Sequence, residues 1–336
     1  MDSPTERSSH SIPTPNLGGA AFFIALFMSF YFIEGYDNSN LIMSIIPGLI
    51  ILFIVGLKDD LVILSPVTKL SAQVVSALFL VWHESFRAIN LYGFMGFEGL
   101  SLFTSTILAV VITVTIINAV NLIDGIDGLA STVSIIIMSV LGWLFFLVQD
   151  YFLSLICAVM VGSLLAFLRY NLSTDKKIFM GDTGSMILGF LISFLVIRLF
   201  NLDSNSIQLL PFQEQNLPYV VTAILIIPIF DTIRVFFIRI MLKKNPFSAD
   251  RNHIHHLIID YYEVSHRRTS FIIGVTNFLV IILFSYLAMT TTKWELMIAF
   301  TLVILSAVIY FYALNKPKLL RSLRIYLQKP FIRVNE

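Results

Sequence analysis

The sequence is poor in charged residues and has a single cysteine. Charged side chains make up 13% of its 336 residues, against roughly a quarter in an ordinary soluble domain. Basic residues number 22 and acidic residues 21, so neither sign dominates. These figures argue against a soluble enzyme, a disordered chain and a nucleic-acid-binding protein. The lone Cys157 excludes a disulfide framework, a cysteine zinc site and an iron–sulfur cluster.

Apolar residues, by contrast, are abundant. They make up 57% of the chain, and its mean hydropathy is +0.86. About ten segments are long enough, or nearly so, to cross roughly 30 Å of hydrocarbon as helices. They run over residues 17–33, 41–56, 68–82, 103–120, 130–148, 151–168, 184–200, 218–240, 270–289 and 295–314. The sequence therefore predicts an all-α, polytopic integral membrane protein whose residues 1–336 form one domain.

The basic residues predict an orientation for these helices. With the N-terminus in the cytoplasm, only Arg87, Arg198 and Lys293 fall on the outer side, and the remaining Lys and Arg lie inside. Such an asymmetry favours cytoplasmic N- and C-termini. It makes residues 315–336 a basic cytoplasmic tail, and the weak alternation over 86–100 predicts a small outer hairpin.

Unusual polar residues cluster in the predicted inner loops. Asp59, Asp60 and Lys69 lie in the first of them. The acidic pair could be solvated charge, and Lys69 could be a lysine that extends to the membrane interface. The outer loops contain nothing comparable, so this face of the molecule is the candidate functional side.

The second inner loop follows a regular spacing. Asn118, Asn121, Asp124 and Asp127 recur every third residue, and glycines follow both aspartates. Residues at this spacing drift slowly around one helix face, and glycine permits a break and a close approach to a ligand. Because polar groups at a membrane boundary are costly, they favour a functional site over a polar capping turn.

The third loop contains the segment F179-M-G-D-T-G-S185 before an apolar helix. Asp182 or Thr183 could cap that helix. Alternatively, free N–H groups at its start could bind a phosphate. Phe179 could stack on a base, although it could equally contribute only to packing.

The fourth loop joins Asp231 and Arg234 to three histidines, His253, His255 and His256. Asp231 and Arg234 are three residues apart and could simply pair with each other. The histidines do not follow the H-E-x-x-H pattern of a zinc peptidase. With Arg251 beside them they favour a positive, donor-rich patch for phosphate oxygens.

Carboxylates, amides and a basic patch on one face together indicate a magnesium-bound pyrophosphate. Magnesium prefers oxygen ligands, typically one or two carboxylates and substrate phosphates. The inner-face aspartates would repel one another without a cation, and the metal would offset charge that develops in the transition state.

These motifs resemble those of the polyprenyl-phosphate N-acetylhexosamine-1-phosphate transferases, or glycosyltransferase family 4. They occur in the family's order and extend from residue 2 to about residue 260. The matching stretches are D2-S-P-T-E-R-S-S-H10 with P13-T-P and G18-G19, G56-L-K-D-D60 with K69-L-S-A-Q73, N118-A-V-N-L-I-D-G-I-D-G-L129, F179-M-G-D-T-G-S185, D231-T-I-R234 and D250-R-N-H-I-H-H256. The last two look more like the GlcNAc-1-phosphate type than like the phospho-MurNAc-pentapeptide transferase.

The resemblance implies a reaction at the cytoplasmic face of a bacterial inner membrane. Undecaprenyl phosphate would attack the β-phosphorus of a UDP-N-acetylhexosamine, with Mg²⁺ or Mn²⁺ as cofactor. UMP would leave, and the product would begin an envelope polysaccharide such as lipopolysaccharide. The sugar and the assembly state stay open, with a homodimer as one alternative.

The resemblance also implies residue roles. It places Asp59, Asp60, Asp124 and His255 in catalysis and Asp182 with Asp124 at the metal. It assigns substrate binding to Lys69, Asn118, Asn121, Asp127, Asn171, Phe179, Arg251, His253 and His256. Asp59 and Asp60 would lie at the lipid phosphate, and Asp127 and Phe179 would contact uracil.

The chain departs from the family pattern in three places. Members usually have a transmembrane helix before the D-x-P-x-x-R segment, at which this chain starts. Asn16 stands where Arg is common, and the spacer from Asn171 to Asp182 is about one residue longer than usual.

A secondary transporter remains the rival from another class, although its polar sites should lie near the bilayer midplane. A CDP-alcohol phosphatidyltransferase would need an Ala-Arg pair that the residues after Asp127 lack.

Overall fold

The structure is a computed structural model, and it describes residues 14–32, 39–83, 86, 89–94, 96–97, 99–243 and 251–328. Its helices are α1 (Gly18–Phe32), α2 (Ser39–Leu61), α3 (Pro66–Trp82), α4 (Leu102–Ile123), α5 (Leu129–Leu147), α6 (Tyr151–Asn171), α7 (Gly181–Leu199), α8 (Ser204–Ile207), α9 (Leu217–Ile224), α10 (Ile226–Met241), α11 (Ile254–Tyr262), α12 (His266–Thr290) and α13 (Lys293–Gln328). No strand occurs within these ranges, so the predicted all-α class is confirmed.

Many of the helices have the length and composition of membrane spans. Seven are long and apolar enough to cross a membrane on their own, and α9 and α10 together are long enough as one bent unit. Helices α1 and α3 are apolar but shorter. All ten predicted apolar segments are therefore helical in the structure. The protein is a multi-pass membrane protein, and its orientation stays a prediction.

The predicted continuous span over 218–240 is wrong in one respect, because it breaks. The segment that ends with α9 and the helix α10 meet at 67°. Pro228 explains the break, since proline lacks an N–H and its ring clashes with the carbonyl four residues earlier. That earlier residue is Ile224, the last residue of α9. The bend gives α10 its own direction, and α10 carries Asp231.

Helix α7 forms the centre of the bundle. About 89% of its membrane-span stretch is buried inside the protein, whereas only 6% of the corresponding stretch of α13 is buried. Helices α1, α2 and α4 surround it. A side chain at Gly19 of α1 would collide with the backbone of Gly184 in α7. Small residues allow such close helix approach in membranes, and this contact fixes the end of α7 that bears Asp182.

Several predictions fall at the edges of the description. The predicted outer hairpin is represented by an isolated antiparallel bridge between Phe94 and Phe97. Of the predicted basic tail, residues 315–328 continue α13. The motif at 2–13, Arg87, Asp250 and residues 329–336 lie outside the described residues.

Candidate active site

Lys69 joins two of the predicted acidic residues at one end of the bundle. Its Nζ lies 2.7 Å from Oδ2 of Asp59, at the end of α2. The same ammonium contacts Oδ2 of Asp182, at the start of α7. The other oxygen of Asp59 accepts the N–H of Leu64 at 2.7 Å. These side chains are 10 to 27% exposed, so Lys69 is an internal counter-ion within reach of solvent.

Asp60 has a different position from its neighbour. Its Oδ1 accepts the N–H of Asp182 at 2.8 Å. Its Oδ2 accepts the N–H and the hydroxyl of Thr183 at 3.2 and 2.6 Å. Gly181, with φ of +73°, turns the chain into α7 at this point. Asp60 therefore caps α7 from another helix.

This cap bears on both alternatives that the sequence left open for this segment. Neither Asp182 nor Thr183 caps α7, because its N-cap position is Met180, which has no side-chain cap hydrogen bond. The N–H groups at the start of α7 were expected to be free for a phosphate. Those of Asp182 and Thr183 are already bonded to Asp60.

Helix α4 adds amides to the same end. Asn121 Nδ2 donates to Asp182 Oδ1 at 2.9 Å and to Ser185 Oγ at 2.8 Å. Asn118 Nδ2 donates to Gln73 Oε1 at 2.6 Å and so ties α4 to α3. Gln73 and Ser185 were not among the predicted site residues. Their spacing could have revealed them, since Gln73 lies four residues after Lys69 and Ser185 three after Asp182.

The bend after α4 carries the two predicted aspartates. Asp124 directly follows the last residue of α4, and Gly128 precedes α5 with φ of +79°. The carboxylate of Asp127 lies 2.6 Å from Lys177 Nζ and 3.9 Å from His266 Nδ1. Burial would raise the pKa of Asp127, but the nearby His266 and the hydrogen-bonded Lys177 lower it below its usual value.

The negative charge of Asp124 is uncompensated, because its carboxylate has no hydrogen-bond donor or ion-pair partner among the described residues. Burial raises its pKa well above the usual range, and the charges of Asp182, Asp60 and Asp127 add to the effect. A carboxylate that is disfavoured in this way is stabilised by a cation.

Asn171 and Phe179 support this bend from α6 and the segment before α7. Asn171 Oδ1 accepts the N–H of Gly128 at 2.6 Å, and its Nδ2 donates to the carbonyl of Ile178 at 2.9 Å. The amide is thus engaged by backbone on both sides. The half-buried ring of Phe179 lies 5.2 Å from Lys177 Nζ.

The histidine segment, residues 251–256, divides into paired and unpaired side chains. His253 Nδ1 lies 2.9 Å from Asp231 Oδ2. Arg251 is 66% exposed, and its Nη2 lies 3.2 Å from Oδ1 of Asp260. Asp231 and Arg234 do pair, at 2.8 Å.

His255 is the unpaired member of the segment. Its ring is 1% exposed, and neither nitrogen has a hydrogen-bond partner among the described residues. A Cβ added at Gly125 would lie 2.6 Å from its Nε2, so the ring faces the bend beside Asp124. Burial, together with the neighbouring His256, lowers the pKa of His255 to about 3.

The positive patch expected from the sequence is therefore different in the structure. Arg251 pairs with Asp260 on the surface, and His255 is neutral near pH 7. A neutral imidazole still offers one donor and one acceptor. The patch thus supplies hydrogen bonds from His255 rather than a second positive charge.

The predicted residues fit a magnesium ion in part. Among the described residues, no group of three or more His, Cys, Asp or Glu side chains forms a metal site. Magnesium needs fewer protein ligands, because it usually keeps waters and binds substrate phosphates. Asp182 and the uncompensated Asp124 supply oxygen donors and negative charge.

An apolar groove lies beside this end of the bundle. Residues of α10 and α13 line its volume of about 540 Å³, and Arg234 also lies on its wall. The other lining residues include Phe230, Ile233, Phe237, Ile304 and Val308.

Comparison with known proteins places these features in context. The sequence model of glycosyl transferase family 4 matches residues 42–200. A probable undecaprenyl-phosphate N-acetylglucosaminyl 1-phosphate transferase of Bacillus subtilis is 32% identical over 92% of this chain and 83% of its own. The undecaprenyl-phosphate alpha-N-acetylglucosaminyl 1-phosphate transferase of Thermotoga maritima is 31% identical over 76% and 72%. The phospho-N-acetylmuramoyl-pentapeptide-transferase of Streptococcus uberis is 34% identical over 55% and 59%.

Proposed function

Because this chain belongs to glycosyl transferase family 4, we propose that it transfers an N-acetylhexosamine-1-phosphate from a UDP-sugar to undecaprenyl phosphate. GlcNAc-1-phosphate is the first candidate, since the relatives from Bacillus subtilis and Thermotoga maritima are named for that transfer. An oxygen of the lipid phosphate bonds to the β-phosphorus of the UDP-sugar. The bond from that phosphorus to the bridging oxygen breaks, and UMP leaves with the oxygen.

One observation carries the proposal. Four helices contribute side chains to one cluster of ion pairs and hydrogen bonds at one end of the bundle, namely Asp59, Lys69, Asn121 and Asp182. His255 faces the bend that carries Asp124 from the other side. A site at the end of the bundle suits a headgroup at the membrane surface and does not suit the midplane site of a transporter.

Lys69 and Asp59 would serve the lipid acceptor. The ammonium of Lys69 can donate to phosphate oxygens while it keeps one carboxylate contact, because it has three N–H donors. Asp59 would orient the attacking oxygen and take a proton from it where one is present. A phosphate monoester is already anionic near neutral pH, so positioning contributes more than proton removal. Asp60 would act indirectly by holding the start of α7.

Asp182 and Asp124 would hold the metal, Mg²⁺ or Mn²⁺. When bound, such an ion offsets the negative charge that develops on the pyrophosphate. Asn121 fixes one oxygen of Asp182, so the other, shared with Lys69, is the one open to exchange. Lys69 would then be released from Asp182 toward the phosphate.

The donor would bind along the bend and the histidine segment. Asp127 and Phe179 would contact the uracil, while His255 would hydrogen-bond the pyrophosphate or sugar. His256, whose ring centroid lies 4.3 Å from that of His255, and Arg251 would complete this side. Asn118, Asn171 and His253 make hydrogen bonds within the protein and would support the others.

The test is product analysis with the purified full-length protein. Undecaprenyl phosphate, magnesium and a panel of UDP-GlcNAc, UDP-GalNAc and UDP-MurNAc-pentapeptide are supplied, and the released nucleotide is identified. UMP supports the proposal, whereas UDP would indicate ordinary glycosyl transfer and contradict it. Turnover of UDP-MurNAc-pentapeptide alone would favour the second candidate, which the relative from Streptococcus uberis suggests.

The location follows from the same chemistry. We place the enzyme in the bacterial cytoplasmic membrane with its site on the cytoplasmic side, where nucleotide sugars are made. Its product would begin an envelope polysaccharide. Saturable solute uptake into proteoliposomes without lipid phosphate would favour a transporter instead.

A further inference from the structure

A buried polar network lies behind the histidine segment. Its centre is Asp231 of α10, which is 2% exposed. One carboxylate oxygen accepts the N–H of Ile254 at 2.9 Å and contacts Arg234 Nη2 at 2.8 Å. The other lies 2.9 Å from His253 Nδ1. A buried carboxylate with three partners is fully engaged and is not open to a substrate.

Two arginines complete the network. Arg234 also donates to the carbonyl of Asn252. Arg239, which is 4% exposed, places Nη2 at 3.4 Å from His253 Nε2. Because a guanidinium has donors only, Nε2 of His253 must accept this bond. Its Nδ1 therefore carries the proton and donates to Asp231.

The network determines where α11 begins. His253 occupies the N-cap position of α11, but its side chain makes no cap hydrogen bond. The first N–H of α11, that of Ile254, is bonded to Asp231 instead. His255 is the next residue in the helix. Because the ring of His253 and the N–H of Ile254, directly before His255, are both fixed, the direction of the His255 side chain is fixed as well.

His253 and His255 differ in how their ring nitrogens are used, and this difference indicates what the network does. His253 uses both ring nitrogens within the protein, whereas His255 has no partner for either nitrogen among the described residues. Its Nε2 faces Gly125. Leaving a buried polar group unpaired is energetically costly. The neighbouring network holds His255 in this costly position.

We propose that Asp231 is a positioning residue for the nucleotide-sugar half of the reaction. It acts through Ile254 and His253 to hold His255 against the Gly125 bend, where His255 meets the pyrophosphate or sugar. This inference rests on the proposed function. It predicts that loss of Asp231 weakens use of the nucleotide sugar while use of the lipid phosphate, bound near Lys69, is unchanged.

The first experiment separates the two substrates. Full-length Asp231→Ala is compared with the unaltered protein, and kcat and KM are measured per folded molecule for UDP-GlcNAc and for undecaprenyl phosphate. Loss of a residue that orients a ligating group typically costs about 10- to 100-fold. We expect a loss of that size in kcat/KM for the nucleotide sugar and a KM for the lipid within about twofold of the original.

Two further variants complete this experiment. Asp231→Asn keeps an oxygen for the N–H of Ile254 and should recover part of the loss. It also replaces Asp231→Ala if that variant does not fold. Asp150→Ala is the matched control, because Asp150 caps α6 through Leu153 and lies 3.8 Å from Arg198 at the opposite end of the bundle. The control should lower thermal stability and leave kcat/KM unchanged.

A double-variant cycle tests whether Asp231 acts through His255. In the His255→Ala background, Asp231→Ala should cost less than about twofold more, because the group it orients is gone. Independent, multiplying losses would overturn the proposal. A lower unfolding temperature with unchanged kcat/KM per folded molecule would also overturn it and leave a purely structural network.

The same measurements keep this proposal distinct from the proposed function. If the unaltered protein releases no UMP, the function itself fails. If it releases UMP but His255→Ala keeps full activity, only the role of His255, and with it that of Asp231, is wrong.

Discussion

Two helices at the site, α7 and α11, begin in the same way but in different surroundings. Asp60 reaches from α2 to cap α7, and Asp231 reaches from α10 to cap α11. Around Asp60, the side chains of Lys69 and Asp182 are 27 and 26% exposed. Around Asp231, the side chains of Arg234 and His253 are 9 and 7% exposed.

The difference separates groups that can meet a substrate from groups that hold them. The acid–lysine cluster, namely Asp59, Asp60, Lys69 and Asp182, is partly exposed, and the ammonium of Lys69 contacts two of its carboxylates. The network around Asp231 is closed, because both carboxylate oxygens of Asp231 and both ring nitrogens of His253 contact protein groups. Replacing a member of the first should therefore affect turnover more than folding, with the exception of Asp60.

Asp182→Ala should give the largest effect, since it removes a proposed metal ligand and a partner of Lys69. We expect turnover to fall by about a thousandfold or more, with little loss of folded protein. UMP release and the monodisperse fraction in detergent measure the two. Turnover close to that of the original protein would remove the metal assignment and erase the contrast between the two regions.

Asp59→Asn comes next. The amide keeps an oxygen for the N–H of Leu64, but it loses the charge that faces Lys69. We expect roughly a hundredfold lower kcat, with measurable residual activity because the phosphate nucleophile is already anionic. Steady-state rates at saturating substrates test this. A loss as complete as that of Asp182→Ala would make Asp59 more than an orienting group.

Asp60→Ala should behave like a change in the closed network. It removes the partners of two N–H groups and one hydroxyl, so unfolding should be easier by about 2 kcal/mol. Denaturant unfolding in detergent measures the change. Asp203→Ala is the control, because Asp203 caps the short α8 on the exposed surface and should cost less. An equal cost in both variants would contradict the importance of burial here.

Asp127→Asn should give the smallest effect on stability, a loss that is present near neutral pH and disappears in acid. The folded protein holds the pKa of Asp127 below its usual value of about 3.9. The resulting stabilisation is present above that usual value and is lost as pH falls through the lowered pKa. We expect less than about 1 kcal/mol from this partly exposed group.

Unfolding temperatures between pH 3 and pH 6 test this prediction. Asp127→Asn should flatten the loss of stability toward low pH, and Asp175→Asn, an exposed change in the following loop, should not. A steeper loss in Asp127→Asn would reverse the sign of the argument.

The sequence predicted the helices, and which residues lie together at the site, better than the contacts that each of these residues makes. Apolar runs gave the helices, and polar residues in the inner loops indicated one face, because both patterns are local. Which carboxylate reaches which helix start is a tertiary matter. Nothing in the adjacent pair Asp59 and Asp60 indicates that one meets Lys69 and the other caps α7.

Some missed features did leave a local signal. Pro228 marks the break between α9 and α10, and Gln73 repeats the helical face of Lys69. The closed network around Asp231 left a weaker local signal in the sequence. Pairing of Asp231 with Arg234 follows from their spacing, but the involvement of His253 and Arg239 depends on how a loop folds back over α10.

Lys69 has a consequence for the protein between turnovers. Its ammonium lies between two carboxylates, so the site carries a positive charge of its own. Under the proposed function, a cell that is short of divalent ions would hold a folded but inactive enzyme. Arrival of the ion would free a lysine at the place where an incoming lipid headgroup needs one.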